Sequence, residues 1–96
     1  TILFTGATAS LRARPPFLAF AAAKAALRAV AQGLAREFGS KGVHVAHIVV
    51  DGVIAGEYAA ANFADYAHSK GADGVLAVDD IADAYWALHC QKRSAW

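Results

Sequence analysis

The 96-residue sequence contains no methionine, a single cysteine, two prolines and few charged residues. One cysteine, Cys90, can neither close an internal disulfide nor supply a zinc cage, so the composition suits a reducing cytoplasm and excludes redox chemistry by thiol pairs. Charged residues make up 18% of the chain and balance to a net charge of +1, with the basic residues scattered. The electrostatic field of so small a net charge is too weak to attract nucleic acid or an anionic membrane, and we expect neither as a partner.

The lack of methionine, in a chain that starts at Thr1, predicts that these residues are part of a longer gene product. Apolar residues are abundant, at 57% of the chain, which excludes a disordered polypeptide. A chain of this length buries only about two-thirds of the surface that it exposes when unfolded. We therefore expect the marginal stability of a piece cut from a larger protein.

Two apolar segments on either side of a long helical segment predict a βαβ unit. Thr1–Thr5 and Val43–Val50 are nearly continuous in apolar character, as in strands that are buried on both faces of a parallel sheet. Gly6 is predicted to end the first strand. Between the strands, Phe17–Phe38 is rich in alanine and other strong helix formers, and it follows the only two prolines of the chain.

Two further helical segments follow the second predicted strand. The spacing of aromatic and small residues indicates one short amphipathic helix within Glu57–Lys70. The pattern over Ile81–His89 predicts a last helix, with Asp79 or Asp80 as its N-terminal cap.

The long helix has one polar side and one nearly flat side. A membrane span is rejected because polar side chains recur every fourth residue and would place charge at every depth of a bilayer. These residues are Lys24, Arg28, Gln32 and Arg36. The opposite surface carries only small residues and predicts close packing within the subunit or between subunits. These residues are Ala22, Ala25, Ala26 and Ala29.

A long helix with an aromatic residue four positions before a lysine, entered from a strand with small residues at its end, resembles the catalytic half of the short-chain dehydrogenase/reductase family. The runs that carry the resemblance are Thr1–Ala7, Phe20–Lys24 and Val50–Ile54. The implied fold is α/β: a partial Rossmann-like, doubly wound parallel sheet made of a βαβ unit plus C-terminal helices. Residues 1–96 would be the C-terminal part of a single domain, whose glycine-rich dinucleotide turn lies upstream.

The resemblance implies an unusual set of catalytic positions. In the family a tyrosine exchanges a proton with the substrate oxygen, a lysine holds the nicotinamide ribose and favours the phenolate, and a serine hydrogen-bonds the reacting oxygen. The matching positions here are Phe20, Lys24 and Ala7. Phe20 keeps the ring and loses the proton, and Ala7 keeps the turn and loses the hydrogen bond. The enoyl-reductase variant of the family places its tyrosine seven before the lysine, where this chain has Phe17.

Two hydroxyl groups are candidate substitutes for the tyrosine. Thr8 directly follows Ala7, and Tyr58 comes after the loop that matches the cofactor loop of the family. Ser10 lies two residues beyond Thr8 and is a weaker candidate. The family's Pro-Gly pair is Asp51-Gly52 here, and the threonine expected four residues after that glycine is replaced. Gly52 and the backbone N–H of Ile54 are the candidate contacts for the cofactor, NAD or NADP, beside Lys24.

Two functions follow from the resemblance. The first is an atypical NAD(P)-dependent oxidoreductase acting on a small-molecule substrate in the cytoplasm. The alternative is a catalytically silent relative that acts as a nucleotide-binding or dimerisation module. In both cases a homo-oligomer through the Phe17–Phe38 helix is expected. No metal site is expected, because His44 and His47 are three positions apart in a strand and point to opposite faces.

Overall fold

The computed structural model describes residues 1–96, which divide into two compact units. The first unit consists of Thr1–Asp51 together with Leu88–Trp96, and the second consists of Gly52–Ala87. The first unit therefore contains both predicted strands and the long helix between them.

A two-stranded parallel sheet forms the centre of the first unit. Strand β1, Ile2–Ala7, pairs with β2, Val45–Val50, in a register that runs from Ile2 opposite Val45 to Ala7 opposite Val50. This confirms the parallel βαβ arrangement. Gly6 does not end the first strand as predicted, because it pairs with Val49 and the strand continues to Ala7. The second strand begins at Val45, two residues later than predicted.

Helix α1, Leu18–Phe38, connects the two strands. It begins one residue after the predicted start, because Phe17 has φ −92° and ψ 32° and is not helical. A short 3-10 turn, Gly39–Lys41, follows the helix, and Gly42 then adopts the left-handed region with φ 85°. That conformation suits glycine because it has no Cβ. A second 3-10 turn, Thr8–Ser10, follows β1.

The strands are less buried than their apolar sequences predict. Gly6 is the one strand residue that is buried, and the others are half-buried or exposed. Helix α1 packs against both strands and against the turn Thr8–Ser10, and its small residues Ala21 and Ala31 are buried. The expectation of strands covered on both faces is therefore wrong for these residues, and the doubly wound arrangement stays a prediction.

The C-terminal residues complete the first unit. The imidazole of His44, which is buried, stacks on the indole of Trp96 with ring centroids 4.7 Å apart and planes 7° from parallel. The guanidinium of Arg93 donates a hydrogen bond of 2.8 Å to the carbonyl of Ser40. His89 Nδ1 and Thr1 Oγ1 are 2.8 Å apart.

The second unit contains short helices and one pair of extended residues. Helices α2, Glu57–Asn62, and α3, Ala64–Ser69, replace the single helix that was predicted, and Phe63 separates them with φ −131° and ψ 22°. The amide of Asn62 donates to the carbonyl of Tyr58, a local bond of the kind that makes asparagine a weak helix former.

Helix α4, Val78–His89, starts three residues before the predicted helix. Asp79 and Asp80 therefore lie within its first turn and are not its caps. Their negative charge is favourable there, because the N-terminus of a helix carries a partial positive charge.

The segment Leu18–Lys41 is long and apolar enough, by length and composition alone, to cross a membrane. Core helices of soluble proteins share this property, so it is weak evidence for a span.

Candidate active site

Lys24 is anchored to the first strand by its side chain. Its Nζ atom donates a hydrogen bond of 2.9 Å to the carbonyl oxygen of Thr5, and the Lys24 side chain is half-buried between α1 and β1. The ring of Phe20, one helical turn earlier, has its centroid 5.7 Å from the same ammonium. A cation over an aromatic face at this distance contributes about 0.5–1 kcal/mol at an exposed site. The strand and the aromatic ring together hold the lysine charge in place.

Neither Ala7 nor Phe20 can exchange a proton with a substrate. Ala7 forms the last pair of the sheet with Val50, and its backbone N–H donates to the hydroxyl of Ser10 over 3.0 Å. Ser10 is buried and engaged in this bond, which gives it a structural role at the end of β1. Phe20 is half exposed and carries no polar atom on its side chain. Neither side chain carries a group that could exchange a proton, so a proton carrier at this site would have to be another residue.

The hydroxyl of Thr8 donates a hydrogen bond to the carboxylate of Asp51. Thr8 follows Ala7 and Asp51 follows Val50, so the two residues lie next to the last pair of the sheet, at its carboxyl edge. The contact between Thr8 and Asp51 is not predicted when each residue is considered separately along the sequence. The signal that could have found it is the register of the parallel strands, since equal offsets from the last pair place two side chains side by side.

Ile54, in the second unit, keeps its backbone N–H open. It forms a parallel bridge with Leu76, in which the N–H of Ala55 donates to Leu76 and the N–H of Leu76 donates to Val53, each over 2.8 Å. In such a bridge the N–H of the central residue faces away from the partner strand. Ile54 thus offers a donor of the kind predicted for the nicotinamide carboxamide.

Gly52 lies against Leu76 in the same unit. A Cβ atom placed on Gly52 would be 3.2 Å from Cδ1 of Leu76, which is closer than most contacts of real side chains. A small residue is therefore favoured at Gly52 for packing, whether or not a cofactor is bound.

Tyr58, the second candidate proton donor, lies on helix α2 and is 73% exposed. Its ring contacts the ring of Phe63, with centroids 6.0 Å apart and planes tilted by 54°. The predicted site residues thus fall in both units: Ala7, Thr8, Phe20 and Lys24 belong to the first, and Gly52, Ile54 and Tyr58 belong to the second.

His47 is a further polar group that the sequence analysis did not assign to the site. Its ring lies over Gly6, and its Nε2 atom is shielded from solvent and has no hydrogen-bond partner. Burial lowers the pKa of His47, and the positive charges of Arg28 and Lys24 lower this pKa further. His47, Arg28 and Gln32 line an open cleft of about 340 Å³ between α1 and β2.

His44, which directly precedes β2, stacks on Trp96 and does not line that cleft. No group of three or more His, Cys, Asp or Glu side chains lies close enough together to hold a metal ion.

The chain is similar to a solved structure, a short-chain dehydrogenase from Rhodopseudomonas palustris, with 44% sequence identity and a TM-score of 0.65. The match covers 99% of this chain and 34% of that protein, so the chain spans about a third of the length of this relative. No family model matches the chain, and no curated protein does. The residues that match this short-chain dehydrogenase include the parallel βαβ unit and the lysine anchored on its first strand.

Proposed function

We propose that this chain is part of an atypical NAD(P)-dependent oxidoreductase that acts on a small molecule. The observation that carries the proposal is the 44% identity to a short-chain dehydrogenase over nearly the whole chain. The anchored ammonium of Lys24 and the open N–H of Ile54 add to it, because both are donors that fit a nicotinamide nucleoside.

In this proposal the residues of the chain bind and orient the cofactor. When bound, a nicotinamide dinucleotide supplies the chemistry of hydride transfer. Lys24 would donate to the ribose hydroxyls, and the backbone N–H of Ile54 would donate to the carboxamide. Gly52 keeps the loop before Ile54 free of a side chain. Because these contacts do not distinguish the two dinucleotides, NAD and NADP are equal candidates.

The substitution of Phe20 for the tyrosine lowers the expected rate. General acid–base catalysis contributes about 10²–10⁴-fold, and loss of a donor to the reacting oxygen costs about 10²–10³-fold in addition. An active enzyme therefore uses another proton carrier, and Thr8 and Tyr58 are the candidates.

A second candidate function is a catalytically silent module for nucleotide binding or dimerisation. It is favoured by the joint loss of both proton-handling groups, at Ala7 and Phe20. The exposed small residues of α1 support a homo-oligomer, because they permit close approach of a second helix. Both candidate functions assume a cytoplasmic protein that contacts neither membrane nor nucleic acid. The net charge of +1 and the polar side of α1 support this assumption.

The test uses the full-length protein and the double variant Ala7→Ser with Phe20→Tyr. Fluorescence titrations with NADH and NADPH measure cofactor binding, and a panel of alcohols, carbonyls and enoyl compounds measures turnover. We expect wild type to bind one dinucleotide and turn over at least one compound. Turnover that appears only in the double variant would favour the silent module. Failure to bind either dinucleotide would contradict the oxidoreductase and the nucleotide-binding module, and would leave only the dimerisation module. Phe63→Tyr, in the second unit, is the matched control for adding a phenol elsewhere.

A further inference from the structure

We propose that Thr8 and Asp51 form a proton-accepting pair that takes the place of the missing tyrosine and favours oxidation of an alcohol. This inference rests on the proposed function and deepens it by naming the second member of the pair and the direction of the reaction. The observation that motivates it is the hydrogen bond from the Thr8 hydroxyl to the Asp51 carboxylate.

The location of the pair suits a reacting group. Both residues lie directly beyond the last pair of a parallel sheet, Ala7 and Val50. In open α/β sheets, ligands bind outside the carboxyl ends of the strands. Thr8 directly follows Ala7, the position that matches the family's substrate-binding serine. The Thr8 hydroxyl is therefore one residue away from the usual position of the serine hydroxyl.

The chemistry of the two groups sets the direction. A hydroxyl has one donor and two acceptor lone pairs, and the donor of Thr8 is directed at Asp51. Its lone pairs therefore remain for a donor from the substrate, and an alcohol supplies such a donor whereas a carbonyl does not. As a carboxylate, Asp51 can only accept. The pair is consequently built to take a proton from a substrate hydroxyl.

The proton transfer balances as follows. The O–H bond of the substrate breaks and a new bond forms between that proton and Thr8 Oγ1. At the same time the original Thr8 O–H bond breaks, and its proton binds the Asp51 carboxylate and later leaves to water. The substrate carbon is oxidised to a carbonyl, and its hydride passes to an oxidised nicotinamide dinucleotide, the co-reactant of the proposed function.

A purely structural role explains the contact less well. The hydrogen bond lies at an exposed position, where water satisfies both groups when the bond is broken. The net contribution of such a bond to stability is small. A chain that needed only a tie between the strand ends already has one in the sheet ladder, whose last pair is Ala7 and Val50.

The experiment combines kinetics with unfolding of the full-length protein. Alcohol oxidation is measured over a panel of secondary alcohols for wild type, Thr8→Val, Thr8→Ser, Asp51→Asn and Asp51→Ala. We expect Thr8→Val and Asp51→Asn to lower kcat by about 10²-fold with little change in KM. Thr8→Ser should retain activity, and added formate should restore part of the rate of Asp51→Ala. Thr1→Val, which removes a hydroxyl at the other end of the sheet, is the matched control.

The unfolding measurement reports on the contact without using activity. Denaturant midpoints of Thr8→Val, Asp51→Asn and the double variant form a cycle, and we expect the two effects to be non-additive. Additive effects would overturn the pair itself. Non-additive effects with unchanged kcat, or no rescue by formate, would show a structural tie and overturn the proton-accepting role alone. Turnover of carbonyl or enoyl compounds by wild type without oxidation of any alcohol would overturn this inference alone. Binding of NADH or NADPH without turnover of any compound would overturn the proposed oxidoreductase function, and this inference with it.

Discussion

At Gly6 the missing side chain determines how the histidine of the neighbouring strand packs. A Cβ atom at this position would lie 2.3 Å from Cε1 and Nε2 of His47 and 2.9 Å from Oγ of Ser10. Real Cβ atoms do not approach other atoms so closely, so either the ring or the strand must move. Gly6 therefore contributes to the packing on the face of the sheet as well as to the pairing of β1 with β2.

The variant Gly6→Ala is expected to lower the free energy of unfolding by about 1–3 kcal/mol, the usual cost of overpacking. Chemical denaturation of the full-length protein measures it. The control is Gly33→Ala, within α1, where an added Cβ meets nothing within 4 Å. That variant should raise stability by about 0.5–1 kcal/mol, because alanine is the better helix former. Equal effects of the two substitutions would contradict the packing described for Gly6.

The buried Nε2 of His47 makes stability depend on pH. Burial first, and then the charges of Arg28 and Lys24, lower the pKa of His47 below its ordinary value of 6.5. Above pH 6.5 both the folded and the unfolded chain hold this ring neutral. As the pH falls through 6.5 towards the lowered pKa, the unfolded chain binds the proton first, and the free energy of unfolding decreases.

We expect the loss of stability between about pH 7.5 and pH 5.5 to be smaller in His47→Gln than in wild type, since glutamine does not titrate in this range. Urea midpoints across the range measure the difference. His68→Gln, which changes an exposed histidine of α3, should keep the wild-type dependence. A wild-type dependence in His47→Gln as well would assign the pH effect to other groups.

At the scale of single residues, the sequence suggests which residues are candidates for the site better than it predicts the contacts between them. The family pattern locates Phe20, Lys24 and Ala7 because spacing along one helix and one strand is local. The bond between Thr8 and Asp51 joins residues 43 positions apart, and its prediction requires the register of two strands. The same holds for the contact of His47 with Gly6.

Among the elements, α1 was predicted to within one residue. The pair of prolines before it and the glycines after it act on the backbone directly, whatever the rest of the protein does. The end of β1 was predicted wrongly because Gly6 was interpreted as a breaker. In the folded chain the absence of a side chain is what allows the strand to pass beneath His47. Tertiary packing therefore overrides the local signal at this position.

The division of residues 57–70 into α2 and α3 could not be predicted from periodicity. Aromatic and small residues recur at helical spacing on both sides of Phe63, so the pattern shows no interruption. The break lies at Phe63, which has φ −131° and ψ 22°, next to the local hydrogen bond from the Asn62 amide to the carbonyl of Tyr58. An asparagine side chain can form several different local hydrogen bonds, so the sequence alone does not predict this one.

For the whole molecule, the exposed small-residue side of α1 is the predicted contact between subunits. The small residues of this side, Ala22, Ala25, Ala26 and Ala29, are all exposed, whereas Ala21 and Ala31 of the same helix are buried. We expect Ala26→Glu to convert the full-length protein to a smaller species in sedimentation velocity, because it places a charge in a close helix contact. Ala82→Glu, exposed on α4, should leave the sedimentation coefficient unchanged. If both variants had the sedimentation coefficient of wild type, this result would contradict a contact between subunits through α1.

The discontinuous first unit imposes an order on folding during synthesis. Its closing contacts come from Leu88–Trp96, where His89 meets Thr1 across 88 positions of sequence and Trp96 covers His44. Residues leave the ribosome from the N-terminus, so β1, α1 and β2 exist well before these partners do. Until these contacts close, at the entropic cost of forming a loop that spans the second unit, His44 remains without its stacking partner. Residues of β1 and α1 are thus made before the C-terminal residues that complete their contacts.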